Sequence, residues 1–203
     1  MHHALPMRQP LTGVVLHGYG GDSTDVAGLA HGLAERLGAR ITTPDLPGHG
    51  TSTEALSLVS AQNALGRLGH DLGQIDFVVG HSLGARLAML LPARARVLIS
   101  MPGEPIFSGS RRDMIRVLRP GRVVETEPLS GLVEVLASPL PFSEQPALLL
   151  VAAQDLETVR SLADRWTASG VDCETIGATS HRDVIDSPAT LERAANWLAP
   201  HLR

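Results

Sequence analysis

The sequence predicts an α/β fold with a mostly parallel sheet of about six strands and helices on both faces. Two observations lead to this prediction. Apolar runs rich in β-branched residues alternate with amphipathic helical segments almost throughout the 203 residues. At residues 75–90 a strand passes directly into a helix through a sharp, glycine-flanked turn. The length fits one domain, residues 1–203.

The first part of the chain supplies two strands and two helices. Residues 11–16 form an apolar strand, and Asp22 or Ser23 caps a helix that runs to residue 37. The apolar positions of this helix share one face: Val26, Leu29, Ala30, Leu33 and Leu37. A short strand at residues 39–43 and a helix at residues 53–72 follow.

The rest of the chain repeats the same alternation of strand and helix. Strands are predicted at residues 75–79, 95–100, 147–152 and 171–176. Helices are predicted to begin at residue 85, just after the sharp turn, and to cover residues 157–168. Ser187 caps a last helix with Pro188 at its first position, which runs to about residue 199.

Residues 101–146 break this alternation. They are rich in Pro, Gly, Ser and Arg, and they contain two short helical patterns near residues 111–118 and 130–136. An insertion that leaves the carboxyl edge of a parallel sheet lies over the side where open α/β folds bind ligands. We therefore expect a lid or cap at residues 101–146, with a surface excursion of no catalytic role as the alternative.

Composition excludes several classes of protein. A net charge of −4 argues against nucleic acid as a partner, and no apolar run of membrane-spanning length is present. Residues 1–10 lack the apolar core of a signal peptide, so the cytoplasm is the expected compartment. The single cysteine, Cys173, excludes an internal disulfide framework and a thiolate metal site. We expect no metal or organic cofactor, and a monomer or homodimer.

The turn at Gly80-His81-Ser82-Leu83-Gly84 carries the first chemical signal. A serine at the apex of such a turn is held in strained backbone geometry, and its hydroxyl projects above the sheet. Gly80 and Gly84 are expected because strand and helix crowd each other there and a Cβ would clash. These features suit a serine nucleophile, although a glycine-rich turn without chemistry would show the same pattern.

A serine nucleophile needs a base and an acid that orients it, and both belong at the ends of neighbouring strands. Asp155 follows one strand and His181 follows the next, which gives the chain order Ser82, Asp155, His181. Glu104, which follows the strand ending at residue 100, is the alternative acid. Four other histidines are candidate bases, of which His70 lies in a predicted helix and His81 adjoins the serine, so its side chain is expected to point away from Oγ: His17, His49, His70 and His81.

Together these motifs resemble the α/β-hydrolase fold superfamily, in its small esterases, thioesterases and lactone hydrolases. The matching pieces are the triad residues, the turn around Ser82, and the loops His17-Gly18-Tyr19-Gly20-Gly21 and Asp45-Leu46-Pro47-Gly48-His49-Gly50. The resemblance implies a minimal version of this fold, because two leading strands of the family are missing. It also implies an oxyanion hole formed by the backbone N–H groups of Tyr19 and Leu83.

The resemblance specifies fold and triad but not substrate. The leading hypothesis is a serine esterase that cleaves a carboxylic ester through an acyl-enzyme. One alternative is a thioesterase acting on acyl-CoA or acyl-carrier thioesters. The other is a non-hydrolytic binding protein on the same fold. Six apolar residues of the insertion are expected to line the acyl site: Met101, Ile106, Phe107, Met114, Leu132 and Phe142. The arginines of the insertion are either a solvated face or a docking patch for an anionic carrier: Arg111, Arg112, Arg116, Arg119 and Arg122.

Overall fold

A computed structural model describes residues 9–103, 129–140 and 145–203. One six-stranded sheet forms its centre, with the strand order β2-β1-β3-β4-β5-β6. Every neighbouring pair of strands is parallel. The strands are β1 (Leu11–Leu16), β2 (Ala39–Thr42), β3 (Ile75–His81), β4 (Ala93–Ile99), β5 (Ala147–Gln154) and β6 (Asp172–Ser180). The predicted α/β fold with a parallel sheet is confirmed.

Helices cover both faces of the sheet. They are α1 (Ala27–Leu37), α2 (Leu58–Leu72), α3 (Leu83–Ala88), α4 (Leu129–Ala137), α5 (Glu157–Ala168) and α6 (Pro188–His201). Buried side chains of α2, α3, α4 and α5 pack on one face, and those of α1 and α6 pack on the other. Each face of the sheet therefore carries its own apolar core, as a parallel sheet requires. No helix in the described parts of the chain is long and apolar enough to cross a membrane.

Three helix starts differ from the sequence prediction, and α3 is one of them, because it begins at Leu83 rather than at residue 85. Helix α2 begins at Leu58 rather than at residue 53, because Ser57 is the N-cap. Its Oγ accepts from Ser60 N at 3.0 Å, and Ser60 Oγ accepts from Ser57 N at 2.9 Å. Before α1, Asp22 caps a short 3₁₀-helix, Ser23–Val26, so the first turn of the predicted helix is wound more tightly.

The sheet topology brings four chain segments to one edge. Ser82 follows β3, Ser100 follows β4, Asp155 follows β5 and His181 follows β6. These four strands are consecutive neighbours in the sheet and parallel, so their carboxyl ends lie side by side. A second 3₁₀-helix, Asp183–Asp186, which the sequence analysis did not predict, begins two residues after His181.

Candidate active site

Ser82 occupies the sharp turn between β3 and α3. Its φ of 51° lies in the left-handed region, which is strained for a residue with a side chain. The turn is held by Ser82 N, which donates to Ile99 O at 2.9 Å, and by Ala85 N, which donates to Ser82 O at 3.0 Å. A Cβ on Gly80 would overlap the Gly84 backbone, and one on Gly84 would overlap the backbone of His17. The predicted crowding at both glycines is confirmed.

His181 lies between Ser82 and Asp155. Its Nδ1 is 2.6 Å from Asp155 Oδ1, and its Nε2 is 3.0 Å from Ser82 Oγ. A carboxylate only accepts, so Nδ1 carries the proton of the neutral ring and Nε2 presents a lone pair to the serine hydroxyl. The structure thus brings together the three residues that the sequence singled out, in an order suited to proton transfer from Ser82.

The Asp155 carboxylate is buried and fully surrounded by donors. Besides His181, it accepts from Ala152 N at 3.1 Å, from Leu156 N at 2.8 Å and from Ser100 Oγ. Burial alone would raise the pKa of Asp155, but the hydrogen bonds from His181 and Ser100 and the nearby imidazole lower it below its usual value. The group is therefore ionised at neutral pH.

Ser100 is a site residue that the sequence analysis missed. It follows β4, has a φ of 48°, and its N–H donates to Leu150 O at 2.7 Å. This backbone geometry directs its hydroxyl to Asp155 Oδ2. Its position directly after β4, between the nucleophile strand and the acid strand, was the available signal. The alternative acid, Glu104, lies outside the described residues.

The loop after β1 packs against the nucleophile. A Cβ built on Gly18 would lie 3.4 Å from Ser82 Cβ and 2.9 Å from His81 Nδ1. Gly18 O accepts from His17 Nδ1 at 2.8 Å and from Gly21 N at 3.2 Å. The carbonyl of residue 18 and the N–H of Tyr19 belong to one planar peptide and point in opposite directions. These two hydrogen bonds therefore fix the direction of the Tyr19 N–H.

His17 is buried and held in one tautomer. Its Nε2 accepts from Leu46 N at 3.0 Å, so its proton must be on Nδ1, the atom that faces Gly18 O. Burial lowers the pKa of His17 against the opposing effects of the Gly18 hydrogen bond and nearby carboxylates. His17 is thus a neutral structural donor and is not placed as a base for Ser82.

His49 and His81 are also engaged away from the serine hydroxyl. His49 Nδ1 donates to Pro47 O at 2.9 Å, and burial lowers the pKa of His49 to about 4. His81 Nε2 donates to His181 O at 2.8 Å, and burial, followed by the nearby His181, lowers the pKa of His81 to about 4. His70 is exposed on α2. Of the histidines weighed as bases, only His181 faces Ser82 Oγ.

A cavity of about 550 Å³ opens onto Ser82 and His181. It lies between the loop after β1, the 3₁₀-helix Ser23–Val26, the segment after β5 and the 3₁₀-helix Asp183–Asp186. Besides Ser82 and His181, its described lining includes apolar, polar and charged residues: Tyr19, Val26, Leu156, Ile185, Thr24, Gln154, Asp25, Arg182 and Asp186. A small substrate fits this volume beside the serine.

The described lining differs from the one predicted. Met101 is 0% exposed and Leu132 is 1% exposed, and both belong to the core on the α2–α5 face rather than to the cavity beside Ser82. The remaining predicted lining residues lie outside the described part of the chain: Ile106, Phe107, Met114 and Phe142. The same holds for the insertion's arginines: Arg111, Arg112, Arg116, Arg119 and Arg122.

No metal-binding group of side chains is evident within residues 9–103, 129–140 and 145–203. In those ranges no three His, Cys, Asp or Glu side chains are grouped closely enough to hold a metal ion. The chemistry that the described residues can perform themselves is proton transfer from the Ser82 hydroxyl to His181, with the resulting imidazolium stabilised by Asp155.

Solved structures with a similar fold include lipases, esterases and thioesterases. A monoacylglycerol lipase of Paleococcus ferrophilus has 19% identity and a TM-score of 0.67, with 94% of each chain covered. The thioesterase domain from the curacin biosynthetic pathway has 14% identity and a TM-score of 0.68, with 94% of this chain and 91% of that chain covered. At these identities the similarity concerns the fold alone.

One curated relative is similar in sequence over a shorter stretch. The sn-1-specific diacylglycerol lipase ABHD11 of Mus musculus is 38% identical over 81 residues, which are 38% of this chain and 26% of that protein. The match thus spans about a quarter of the relative's length. A family model described as the alpha/beta hydrolase family matches residues 14–131, more than half of the chain. The chain belongs to the alpha/beta hydrolase family.

Proposed function

We propose that this hydrolase is a serine esterase that cleaves a small carboxylic ester through an acyl-enzyme. The observation that carries the proposal is the continuous hydrogen-bonded path from Ser82 Oγ through His181 to Asp155, at 3.0 Å and 2.6 Å. Contacts of this length suit direct proton transfer between heavy atoms. A family member kept only for binding has no need of this alignment.

The proposed reaction begins with attack by Ser82 Oγ on the acyl carbon. His181 Nε2 takes the hydroxyl proton, and Asp155 stabilises the imidazolium that forms. The backbone N–H groups of Tyr19 and Leu83 hold the oxygen that becomes negative in the tetrahedral intermediate. His181 then returns the proton to the leaving alcohol, and water resolves the acyl-enzyme by the same steps.

Two features favour an ester over a CoA thioester. The cavity beside Ser82 is lined by the carboxylates of Asp25 and Asp186 and by only one guanidinium among its described residues, that of Arg182. Acidic lining disfavours the phosphates of CoA by charge repulsion. Its volume of about 550 Å³ suits a short acyl group with a small alcohol.

A panel of p-nitrophenyl esters of increasing chain length, run beside acyl-CoA thioesters, tests this proposal. We expect kcat/KM to be highest for short acyl esters and to disappear in Ser82→Ala, which removes one hydroxyl without making a large cavity. Preference for acyl-CoA would instead favour the thioesterase alternative. Equal ester turnover by wild type and folded Ser82→Ala would contradict both serine mechanisms.

A further inference from the structure

A buried cation lies one helical turn after the nucleophile. Arg86 is on α3, and its residue is only 3% exposed. Its backbone N–H donates to Ser82 O at 3.3 Å, so its own main chain helps to close the nucleophile turn. Neither the triad nor the proposed oxyanion hole uses its guanidinium.

The Arg86 guanidinium binds main-chain carbonyls from two separate parts of the insertion. Nη1 donates to Pro102 O at 3.0 Å, directly after the residues that leave β4. Nε donates to Val135 O at 3.3 Å, and Nη2 donates to Ser138 O, at the end of α4. One side chain thus joins the nucleophile helix to the segment after Ser100 and to the last turn of α4.

This arrangement makes physical sense of a buried charge near the site. A guanidinium is costly to bury unless its N–H groups find acceptors. The last carbonyls of a helix have no partner within it and carry partial negative charge, so a cation is favoured there. A planar fork of donors can reach separate carbonyls at the same time, which the single ammonium of lysine cannot reproduce.

Helix α4 is held at its other side as well. Glu134 Oε2 accepts from Leu58 N at 3.0 Å, which also satisfies a free N–H at the start of α2. Gly131 packs so closely on the backbone of Leu56 that any Cβ would overlap it. Helix α4 is therefore held in place against the segment that begins α2, and its carbonyls offer Arg86 acceptors at fixed positions.

We propose that Arg86 is a positioning residue, which holds α3 and hence Ser82 in place relative to the strand ends that carry Ser100 and Asp155. The inference rests on the proposed serine hydrolase function. The path is short: Arg86 binds Pro102 O, Ser100 lies two residues earlier, and the Ser100 hydroxyl binds Asp155. Arg86 therefore connects the nucleophile helix to the segment after β4, in which the Ser100 hydroxyl binds the carboxylate of Asp155.

The test compares Arg86→Met and Arg86→Lys with Arg96→Met. Arg96 offers a matched control because it is also buried, at 4% exposure, and its Nη2 donates to Leu91 O at 2.6 Å, away from the triad. The kinetic measurements are kcat and KM with a p-nitrophenyl ester, and kcat is expressed per Ser82 titrated by a fluorophosphonate. Thermal unfolding and the backbone hydrogen exchange of residues 82–88 are measured on the same variants.

We expect Arg86→Met to lower kcat per titrated serine by about 10²-fold, since a small displacement of a reacting group can cost that much. The KM should change far less, and Arg86→Lys should restore part of kcat. Exchange at residues 82–88 should be fastest in Arg86→Met, intermediate in Arg86→Lys and unchanged in Arg96→Met. Arg96→Met should lower the unfolding temperature and leave kcat close to that of the wild type.

An equal kcat per titrated serine in Arg86→Met and Arg96→Met would overturn the proposal. If Arg86→Met does not fold, Arg86→Lys decides, and a full wild-type kcat in it would overturn the positioning role. A wild-type protein that neither reacts with the fluorophosphonate nor hydrolyses esters would overturn the proposed function instead. In that case unchanged exchange at residues 82–88 in the Arg86 variants would separately overturn the inference about Arg86.

Discussion

At the residue scale, the role of Asp155 follows from the donors around it. Its carboxylate accepts from two backbone N–H groups, from Ser100 and from His181. The aspartate cannot rotate freely, because each oxygen is bound by more than one donor. This fixes the direction of the imidazole and keeps Nε2 of His181 facing Ser82.

Replacing Asp155 by asparagine should therefore cripple catalysis. An amide beside Nδ1 favours the wrong imidazole tautomer, and in a serine triad that can lower kcat by about 10⁴-fold. Thermal unfolding should also occur at a lower temperature, because the new amide N–H₂ group faces donors rather than acceptors. Steady-state kinetics and a thermal melt measure both effects.

Two control variants accompany this prediction. Asp183→Asn changes an exposed carboxylate near His181 that accepts from Ser180 Oγ at 2.6 Å, and it should remain close to wild type. Glu104→Gln tests the alternative acid, and we expect a loss of no more than about tenfold. A crippled Glu104→Gln with an active Asp155→Asn would assign the acid to Glu104.

His17 gives a second prediction at this scale. In His17→Phe one of the two donors to Gly18 O disappears and only Gly21 N remains, so the Tyr19 N–H is held less firmly in its direction. Removal of an oxyanion-hole donor costs about 10²–10³ in kcat, and a misdirected donor should approach this loss. The affinity for a boronic acid that mimics the tetrahedral intermediate should fall with kcat, whereas KM should change little. His70→Phe, on an exposed helix surface, is the control, and unchanged inhibitor affinity in His17→Phe would refute the role.

At the scale of the element, the junction of β3 and α3 requires glycine at residues 80 and 84, because a Cβ at either position would overlap backbone atoms. A Cβ on Gly84 would overlap backbone atoms of β1 and His17, which cannot move like the end of a flexible side chain. By contrast, a Cβ on Gly66 in α2 would meet no atom within 4 Å. Substitution by alanine is therefore expected to have opposite effects on stability at Gly84 and at Gly66.

Gly84→Ala should lower both stability and ester turnover, because α3 must shift away from β1 and take Ser82 with it. Gly66→Ala should instead stabilise the protein by about 0.4–1 kcal/mol, since alanine favours the helix and restricts the unfolded chain. Urea unfolding and kcat of both variants provide the measurement. A Gly84→Ala protein as stable and active as Gly66→Ala would contradict the crowding at the turn.

Elements whose signals are local were predicted well from the sequence. Strand β1 and helix α5 have the predicted bounds, because their ends coincide with changes in hydropathy and with Gly170. Strand β6 extends past the predicted residue 176 to Ser180 with a register shift opposite β5, and Ala178 adopts a φ of 55° there. Such an irregularity depends on pairing with β5, which local propensity does not contain.

At the scale of the whole molecule, buried histidines make stability depend on pH. Burial lowers the pKa of His49 and His81 to about 4, whereas the unfolded chain titrates near the ordinary value of 6.5. Between these values the unfolded state binds more protons, so the free energy of unfolding falls as the pH falls from about 6.5 towards 4. The loss is on the order of a few kcal/mol for each histidine.

Urea unfolding at several pH values between 7 and 4 measures this dependence. His49→Asn should make it shallower without abolishing it, because asparagine retains a donor for Pro47 O but does not titrate, whereas His81 remains. His31→Asn should not, since the His31 side chain is 76% exposed. A free energy of unfolding that stays constant from pH 7 to 4.5 would contradict the neutral, buried state of these histidines.

The candidate site was predictable from the sequence only in part, because some of its residues are brought together by packing between distant segments. Ser82, Asp155 and His181 follow strands, and parallel strand ends meet at one edge, so sequence order sufficed to bring them together. Ser100 and the cavity lining of Val26 and Ile185 depend on packing between distant segments. Met101 and Leu132 were assigned to the pocket because they are apolar and belong to the insertion, but apolar residues are more often buried in the core.

Labelling with a fluorophosphonate, followed by peptide mapping, tests the central claim most directly. Such a probe reacts with a serine only if a base and an oxyanion site activate it. The account predicts one label per chain, on Ser82, with no label in Ser82→Ala and slow labelling in Asp155→Asn. A folded wild-type protein that stays unlabelled, or that is labelled at another residue while Ser82 stays free, would contradict a nucleophilic Ser82.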